Sequence, residues 1–198
     1  EDDVLVSRQF YSWLKFVGLQ LLNDSRQNRK IMSISLYTPR VIETGKMRRQ
    51  FIDFSSAGVA EGSVFQYEEP CSWGSAFQGR QWVDAMAYYQ RRLEGNQVFP
   101  PIPHSRVNGW SGSWKKWLIE LSFHHHLTTL YPYFRNQTSF STNLLQKGQH
   151  IEAIDTNTLL MYKVPLFEDN DWYFQLGRKR IFPTAGPFDL NFKKVHQH

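Results

Sequence analysis

The spacing of the apolar residues constrains the fold of this chain more than any other feature of its sequence. Three segments place apolar residues three or four positions apart, which is the period of one helix face. These segments cover residues 8–22, 79–93 and 113–125. Short apolar segments at 31–37 and 127–131 have the composition of β-strands. Because helices alternate with short strands, the sequence predicts an α/β fold.

The same spacing predicts which side chains each helix turns toward the core. The predicted inward residues are Phe10, Leu14, Val17 and Leu21 in the first helix, Trp82, Met86, Tyr89 and Leu93 in the second, and Trp114, Trp117, Leu118 and Leu121 in the third. We expect Pro132 to end the second strand, residues 51–54 to form a short strand, residues 159–166 to be extended and residues 167–198 to be irregular.

Length and composition limit the class of protein. The chain has 198 residues, enough for one domain, which we divide into a core over 1–150 and an irregular C-terminal extension over 151–198. Its single cysteine, Cys71, excludes a disulfide framework and a cysteine-rich zinc site. No apolar run is long enough to cross a membrane. Since the sequence starts at Glu1 instead of methionine, we expect a longer protein with a possible membrane anchor upstream.

Charge and aromatic content bear on the partners of the chain. The net charge is +5, with basic patches at 26–30, 46–49 and 178–180. No recognised nucleic-acid motif accompanies these patches, so we interpret them as solvated surface and predict no nucleic-acid partner. Aromatic residues make up 16% of the chain. Large rings fill cores and also stack on sugars, and composition does not choose between these roles.

Two groups of residues could bind a metal ion. Glu1, Asp2 and Asp3 precede the first helix, and their carboxylates suit Mn²⁺ or Mg²⁺. The alternative is an acidic turn that favours the dipole of that helix. The tract His124–His126 also resembles a metal site, but consecutive helical side chains point about 100° apart. We therefore interpret the tract as the C-terminus of the third helix.

Three further positions have both a chemical and a structural interpretation. Glu120 is either a surface partner of Lys116 or a general base for an acceptor hydroxyl. Residues 140–150 gather hydroxyls, an amide and an imidazole, either as turn residues or as a lid over a phosphate or metal. Cys71 has no local partner typical of a thiol nucleophile. We therefore expect the following Trp-Gly turn to shape a pocket.

Five segments, taken in order, carry a resemblance to one family. They are Glu1–Asp3 with 7–15, Ile34–Arg40, Pro70–Gly74 with Trp82, Gly109–Glu120, and a last segment made of Leu130–Pro132, Phe140–Asn143, Gly148 and His150. Together they span residues 1–150 and resemble eukaryotic glycosyltransferase-like proteins with the GT-A nucleotide-sugar fold. Their layout is also similar to inverting N-acetylglucosaminyltransferases whose metal motif is Glu-Asp-Asp. The resemblance implies the C-terminal part of a GT-A-like mixed sheet flanked by helices, without the N-terminal nucleotide-binding strands.

The resemblance also implies a role for each candidate residue. Asp3 and His150 would bind Mn²⁺ or Mg²⁺, while Glu1, Asp2, Trp73, Gly74, Trp110 and Asn143 would contact the substrates. The relatives carry an acidic residue inside a Trp-x-x-Trp stretch, where this chain has Lys115 and Lys116. Glu120, shortly after that stretch, is therefore the expected catalytic base.

The function implied by the resemblance is metal-dependent sugar transfer. The donor would be a nucleotide-sugar, and the acceptor a hydroxyl of a glycan, lipid or protein. The alternative is a non-catalytic carbohydrate-binding or scaffold module derived from the same fold. The resemblance further implies the lumen of the Golgi or endoplasmic reticulum, with a membrane reached only through a segment outside this chain. Glycosylation sequons at 23–25 and 136–138 are compatible with that location.

Overall fold

The computed structural model describes residues 3–22, 29–46, 49–96, 98–145, 155–168 and 185–195. The helices are α1 (Phe10–Leu22), α2 (Gly79–Leu93), α3 (Trp114–His125) and α4 (Thr156–Tyr162). The strands are β1 (Val4–Val6), β2 (Ile31–Ser35), β3 (Val41–Ile42), β4 (Gln50–Phe51), β5 (Ser63–Tyr67), β6 (Ser75–Phe77), β7 (Thr128–Tyr133), β8 (Ser141–Asn143) and β9 (Ala185–Phe188). The three predicted helices and the strands predicted at 31–37 and 127–131 are confirmed, with shifts of a few residues at their ends. The strand predicted at 51–54 is wrong beyond Phe51, because β4 ends there and a turn follows.

A mixed five-stranded sheet organises the structure, in the order β6-β2-β7-β5-β9. The β2–β7 and β5–β9 pairs are parallel, while β2–β6 and β5–β7 are antiparallel. Two small antiparallel ribbons, β1–β8 and β3–β4, lie outside this sheet. The fold is therefore a mixed α/β structure whose sheet is flanked by helices, as the sequence predicts at this coarse level.

The central strands are buried on both faces because the core has a layer on each side of the sheet. Along β5, Phe65 and Tyr67 join one apolar cluster and Val64 joins the other. Alternate side chains of a strand point to opposite faces, so these two clusters lie across the sheet from each other. Helix α1 covers one face through Trp13 and Val17.

Helices α2 and α3 pack against each other beside the sheet. Ala85 and Tyr88 of α2 contact Leu118 and Leu121 of α3 in an apolar cluster of their own. Helix α3 ends at His126, which adopts the left-handed conformation that commonly closes a helix. Within the part of the chain that the structure describes, no helix combines the length and apolarity needed to span a membrane.

The predicted inward faces of the helices are partly wrong. In α1, Phe10 is 37% exposed, and Trp13 is fully buried in its place. In α2, Trp82 and Leu93 are 39% and 60% exposed, whereas Ala85 and Tyr88 are buried. Aromatic and apolar residues on both sides of each helix make the sequence pattern ambiguous. Packing against the sheet and against α3 selects one side.

Three local predictions in the second half of the chain are also wrong. Pro132 lies inside β7 instead of ending it, which is tolerated because β2 pairs with β7 only as far as Leu130. The Pro132 carbonyl accepts a hydrogen bond from the Thr38 hydroxyl at 2.8 Å. Residues 156–162 form α4, where an extended segment was expected, because Asp155 caps the helix by accepting from the Thr158 N–H at 2.7 Å. Strand β9 similarly lies in the tail that was expected to be irregular.

Candidate functional site

The β1–β8 ribbon brings Asp3 and Asn143 together. Val4 lies opposite Asn143 in the antiparallel pairing. The Leu144 N–H donates to the Asp3 carbonyl at 2.7 Å, and the Asn143 side-chain amide nitrogen lies 3.4 Å from Asp3 Oδ2. Asn143 is buried, and its side-chain oxygen accepts from the Leu145 N–H. Two predicted site residues that are 140 positions apart therefore touch.

The Trp73–Gly74 turn packs against the same strand. The Ser141 hydroxyl donates to the Trp73 carbonyl at 2.6 Å, and the Leu36 N–H donates to the Gly74 carbonyl at 2.8 Å. Gly74 has a φ of +85°, and an added Cβ would lie 3.2 Å from the Ser141 Oγ. The turn thus requires glycine both for its backbone conformation and for its close approach to β8.

The alternation of side chains along β8 joins these two contacts into one candidate site. Ser141 and Asn143 are two residues apart in an extended strand, so their side chains point to the same face. Ser141 contacts the Trp73–Gly74 turn and Asn143 contacts Asp3. We name the group of Asp3, Trp73, Gly74, Ser141 and Asn143 the β8 site.

The side chain of Trp73 also lines a small cavity. It makes edge contacts with Tyr37 and Tyr162, at centroid distances of 4.9 and 5.2 Å. The cavity has an accessible volume of about 20 Å³, and its wall includes Cys71 and Lys115. This volume is roughly that of one water molecule, so the cavity does not accommodate a sugar.

A buried charged cluster forms the wall of this cavity. The Lys115 ammonium lies 2.9 Å from Glu69 Oε1 and 3.1 Å from Glu43 Oε2. The Tyr67 hydroxyl donates to Glu69 at 3.0 Å, and Arg49 lies 3.7 Å from Glu43. The Lys115, Glu43 and Glu69 side chains are only 16%, 15% and 6% exposed. Each charge is therefore compensated inside the protein instead of by water.

Burial and the ion pairs together shift the pKa values of the charged groups in this cluster. Burial by itself would lower the pKa of Lys115, but Glu69 and Glu43 outweigh it and raise that pKa above its usual value. Burial would likewise raise the pKa of Glu43, yet Lys115 and Arg49 together lower it. For Glu69, burial dominates and raises the pKa although Lys115 opposes the shift. Lys115 is thus a permanent cation between two carboxylates.

Glu120 does not join the β8 site or the charged cluster. It follows Lys115 by five residues in α3, which places its side chain about 140° around the helix from that lysine. Its carboxylate is buried and lies 3.6 Å from the Arg92 guanidinium of α2. Arg92 also stacks over the Trp117 ring at 4.3 Å, and burial together with the Glu120 carboxylate raises the pKa of Tyr88. A role for Glu120 as catalytic base stays a prediction, and its observed contacts join α2 to α3.

The other predicted site residues either lie away from the β8 site or fall outside the described part of the chain. Trp110 is half-buried and packs with Ile102, Val107, Ile119 and Leu190. Its carbonyl accepts from the Lys116 ammonium at 3.0 Å. The predicted site residues Glu1, Asp2 and His150 lie outside the described residues. The structure therefore brings together Asp3, Trp73, Gly74 and Asn143 from the predicted set.

The histidine tract diverges, as its helical spacing predicts. The His124 ring nitrogen lies 2.9 Å from the Pro100 carbonyl, and its ring stacks on Phe99 at 4.5 Å. His126 lies 3.1 Å from Glu68 on another surface. Among the residues that the structure describes, no three His, Cys, Asp or Glu side chains form a group that could hold a metal.

The fit of a divalent ion at the β8 site depends on Asp3. Its carboxylate has no cationic partner among the described residues, and carboxylate oxygens are ligands that Mn²⁺ and Mg²⁺ prefer. The neighbouring Asn143 oxygen is already engaged by the Leu145 N–H. Asp3 thus offers one suitable ligand, and the other predicted ligands lie outside the described residues.

We predict that Cys71 is unreactive in the folded chain. The side chain is buried, its sulfur accepts from the Trp73 N–H at 3.3 Å, and burial raises the pKa of the thiol. A colorimetric thiol reagent at neutral pH should therefore label the native chain far more slowly than the urea-unfolded chain. Equal labelling rates in the two states would contradict this prediction.

Sequence reasoning missed the Glu43–Lys115–Glu69 cluster. In the sequence, Lys115 stands out only because the relatives carry an acidic residue in the Trp-x-x-Trp stretch. The sequence did contain a signal that buried carboxylates occur here, namely the adjacent pair Glu68-Glu69 before Pro70. These glutamates directly follow the buried strand β5, so they lie close to the protein interior. Glu43 carries no such signal, since it is far from both partners in sequence.

Comparison with known proteins adds no family assignment. No protein-family model matches the chain. No curated protein matches it at a significant level of sequence similarity.

Proposed function

We propose that this chain is part of a metal-dependent glycosyltransferase of the GT-A type. It would move a sugar from a nucleotide-sugar donor to a hydroxyl of a glycan, lipid or protein. The observation that supports this proposal is the β8 site. Asp3 and the Trp73–Gly74 turn belong to separate segments of the resemblance, yet they contact Asn143 and Ser141, which share one face of β8.

The residues of the β8 site suggest a division of roles. The Asp3 carboxylate would hold Mn²⁺ or Mg²⁺, with Glu1, Asp2 and His150 as further candidate ligands. Such an ion, when bound, neutralises charge on the leaving diphosphate. Trp73 is half-buried and would contact a sugar through the exposed part of its ring. Its carbonyl accepts from the Ser141 hydroxyl, which holds the turn in position. A base role for Glu120 would require its pairing with Arg92 to open.

The test is calorimetric titration of uridine and guanosine diphosphates with Mn²⁺. The titration uses the chain together with the natural sequence upstream of Glu1, because the resemblance implies nucleotide-binding strands there. We expect metal-dependent binding that Asp3→Ala weakens by about tenfold or more. The matched control is Asp84→Ala, which removes an exposed carboxylate from α2.

Two results would contradict the proposal. One is equal binding in the wild type and the Asp3→Ala variant, and the other is the absence of binding in both. Equal binding would show that Asp3 does not hold the metal of the nucleotide site. Absence of binding in both would favour the non-catalytic carbohydrate-binding module, and binding of the wild type to a glycan array without metal would then identify it.

A further inference from the structure

A second and much larger cavity lies across β3 from Trp73. Val41 and Glu43 line the small cavity, whereas Ile42 and Thr44 line the large one. Successive residues of an extended chain point in opposite directions, so the two cavities share this segment as a wall. The accessible volume of the large cavity is about 760 Å³. This is within the range of small-molecule sites.

The lining of this cavity combines an apolar floor with a cationic rim. The floor consists of Ile42, Ile102, Phe123 and Leu190. Lys46, Lys193 and His104 stand at the rim and are exposed. Neither lysine ammonium has a hydrogen-bond or ion-pair partner among the described residues. A cavity of this composition suits a molecule that is apolar or ring-like at one end and negatively charged at the other.

Among the described lining residues, the one carboxylate is Asp189, and one of its oxygens is already engaged. Asp189 Oδ1 accepts from the backbone N–H groups of Asn191 and Lys193, at 2.9 and 2.8 Å. Asp189 therefore serves to fix the turn, and it makes no ion pair with Lys46 or Lys193. The rim is left with two ammonium groups that can only donate hydrogen bonds, which favours a ligand rich in acceptors.

The segments that form the rim are held in place by internal contacts. Phe192 has a φ of +58°, which is unusual for a bulky residue, and its buried ring stacks on Phe188 at 4.4 Å. The Thr44 hydroxyl donates to the Leu190 carbonyl, and the Ser105 hydroxyl donates to the Thr44 carbonyl at 2.8 Å. Three separate parts of the chain are thus tied together around the cavity. Preorganisation of this kind reduces the free energy lost on binding.

We propose that this cavity binds a small organic anion whose phosphate or carboxylate group contacts Lys46 and Lys193. A sugar-sized body would then cover the floor formed by Ile42, Ile102, Phe123 and Leu190. This site uses none of the residues of the β8 site, so the inference does not depend on the proposed function. Loss of metal and nucleotide binding in Asp3→Ala would leave it unaffected.

The experiment is calorimetric titration of glucose 6-phosphate and glucuronate into the chain, with glucose as the uncharged reference. We expect saturable binding of at least one anion, weakened by added salt. Lys193→Gln should reduce the affinity by about tenfold, because it removes a charged hydrogen-bond donor. Lys46→Gln should have a similar effect. The matched control is Lys194→Gln, which removes the next exposed lysine, outside the cavity.

The relative affinities of the two anions identify the charged group of the ligand. Stronger binding of glucose 6-phosphate indicates a phosphate, and stronger binding of glucuronate indicates a carboxylate. Absence of saturable binding for both anions, or equal binding of glucose, would overturn the proposal. Equal effects of Lys193→Gln and Lys194→Gln would also overturn it, since the attraction would then be nonspecific.

Discussion

A chain carrying Lys115→Met is expected to lose about 3–5 kcal/mol of its free energy of unfolding, because two buried carboxylates lose their shared cation. Lys115 lies 2.9 Å from Glu69 and 3.1 Å from Glu43. Methionine fills a similar volume, so the change removes the charge with little loss of packing. Urea unfolding followed by circular dichroism measures the effect.

The neighbouring lysine provides the control. Lys116→Met also removes an ammonium from α3, but the direct contacts of the Lys116 ammonium within the described residues are with backbone carbonyls and with the Trp117 ring. We expect a loss below about 1 kcal/mol there. Adding Glu69→Gln and Glu43→Gln to Lys115→Met should recover part of the lost stability. Equal losses in the two single variants would show that the cluster is not a stabilising unit.

Trp13→Ala is expected to lower the free energy of unfolding by about 3–5 kcal/mol, the range for a large buried aromatic side chain. Trp13 is fully buried, and its indole N–H donates to the Ser35 carbonyl at 3.0 Å. Its ring stacks on Phe140 at 5.1 Å. Because Phe140 directly precedes β8, the change should also loosen the strand that carries Ser141 and Asn143. Urea unfolding measures the first effect, and amide hydrogen exchange at β8 measures the second.

Phe10→Ala in the same helix is the matched control. The sequence pattern predicts that Phe10 faces inward, whereas the structure leaves it 37% exposed. We therefore expect a loss below about 1 kcal/mol and unchanged exchange at β8. A larger loss for Phe10→Ala than for Trp13→Ala would contradict the observed packing of α1.

The elements of the fold were more predictable than their orientation. Apolar spacing located α1, α2 and α3 because helix formation depends on a local pattern that recurs over several turns. It did not identify Trp13 in α1 or Ala85 and Tyr88 in α2 as the buried residues. That choice depends on the sheet and on α3, which lie far away in sequence. Helix α4 was missed because its Asp155 cap precedes a segment without a strong apolar period.

The candidate site was predictable as a set of segments and not as an arrangement. The sequence predicts four of its residues, which are Asp3, Trp73, Gly74 and Asn143. The contact of Asp3 with Asn143 depends on the pairing of β1 with β8, and no local sequence pattern predicts that pairing. The Lys115 cluster was missed because its charges come from three separate parts of the chain. Glu120 was predicted as the catalytic base because it follows the Trp-x-x-Trp stretch. It lies five residues after Lys115 in α3, so its side chain points to a different side of that helix.

The most direct test of the proposed metal site is the line broadening that Mn²⁺ causes in the nuclear magnetic resonance spectrum of the protein with a nucleoside diphosphate present. We expect the amide signals of Asn143 and Leu144 to broaden first, followed by those of the Trp73–Gly74 turn. Asp3→Ala should abolish this pattern. Broadening centred on the His124–His126 tract, or an unchanged pattern in Asp3→Ala, would contradict the assignment of the β8 site as the place where metal and nucleotide bind.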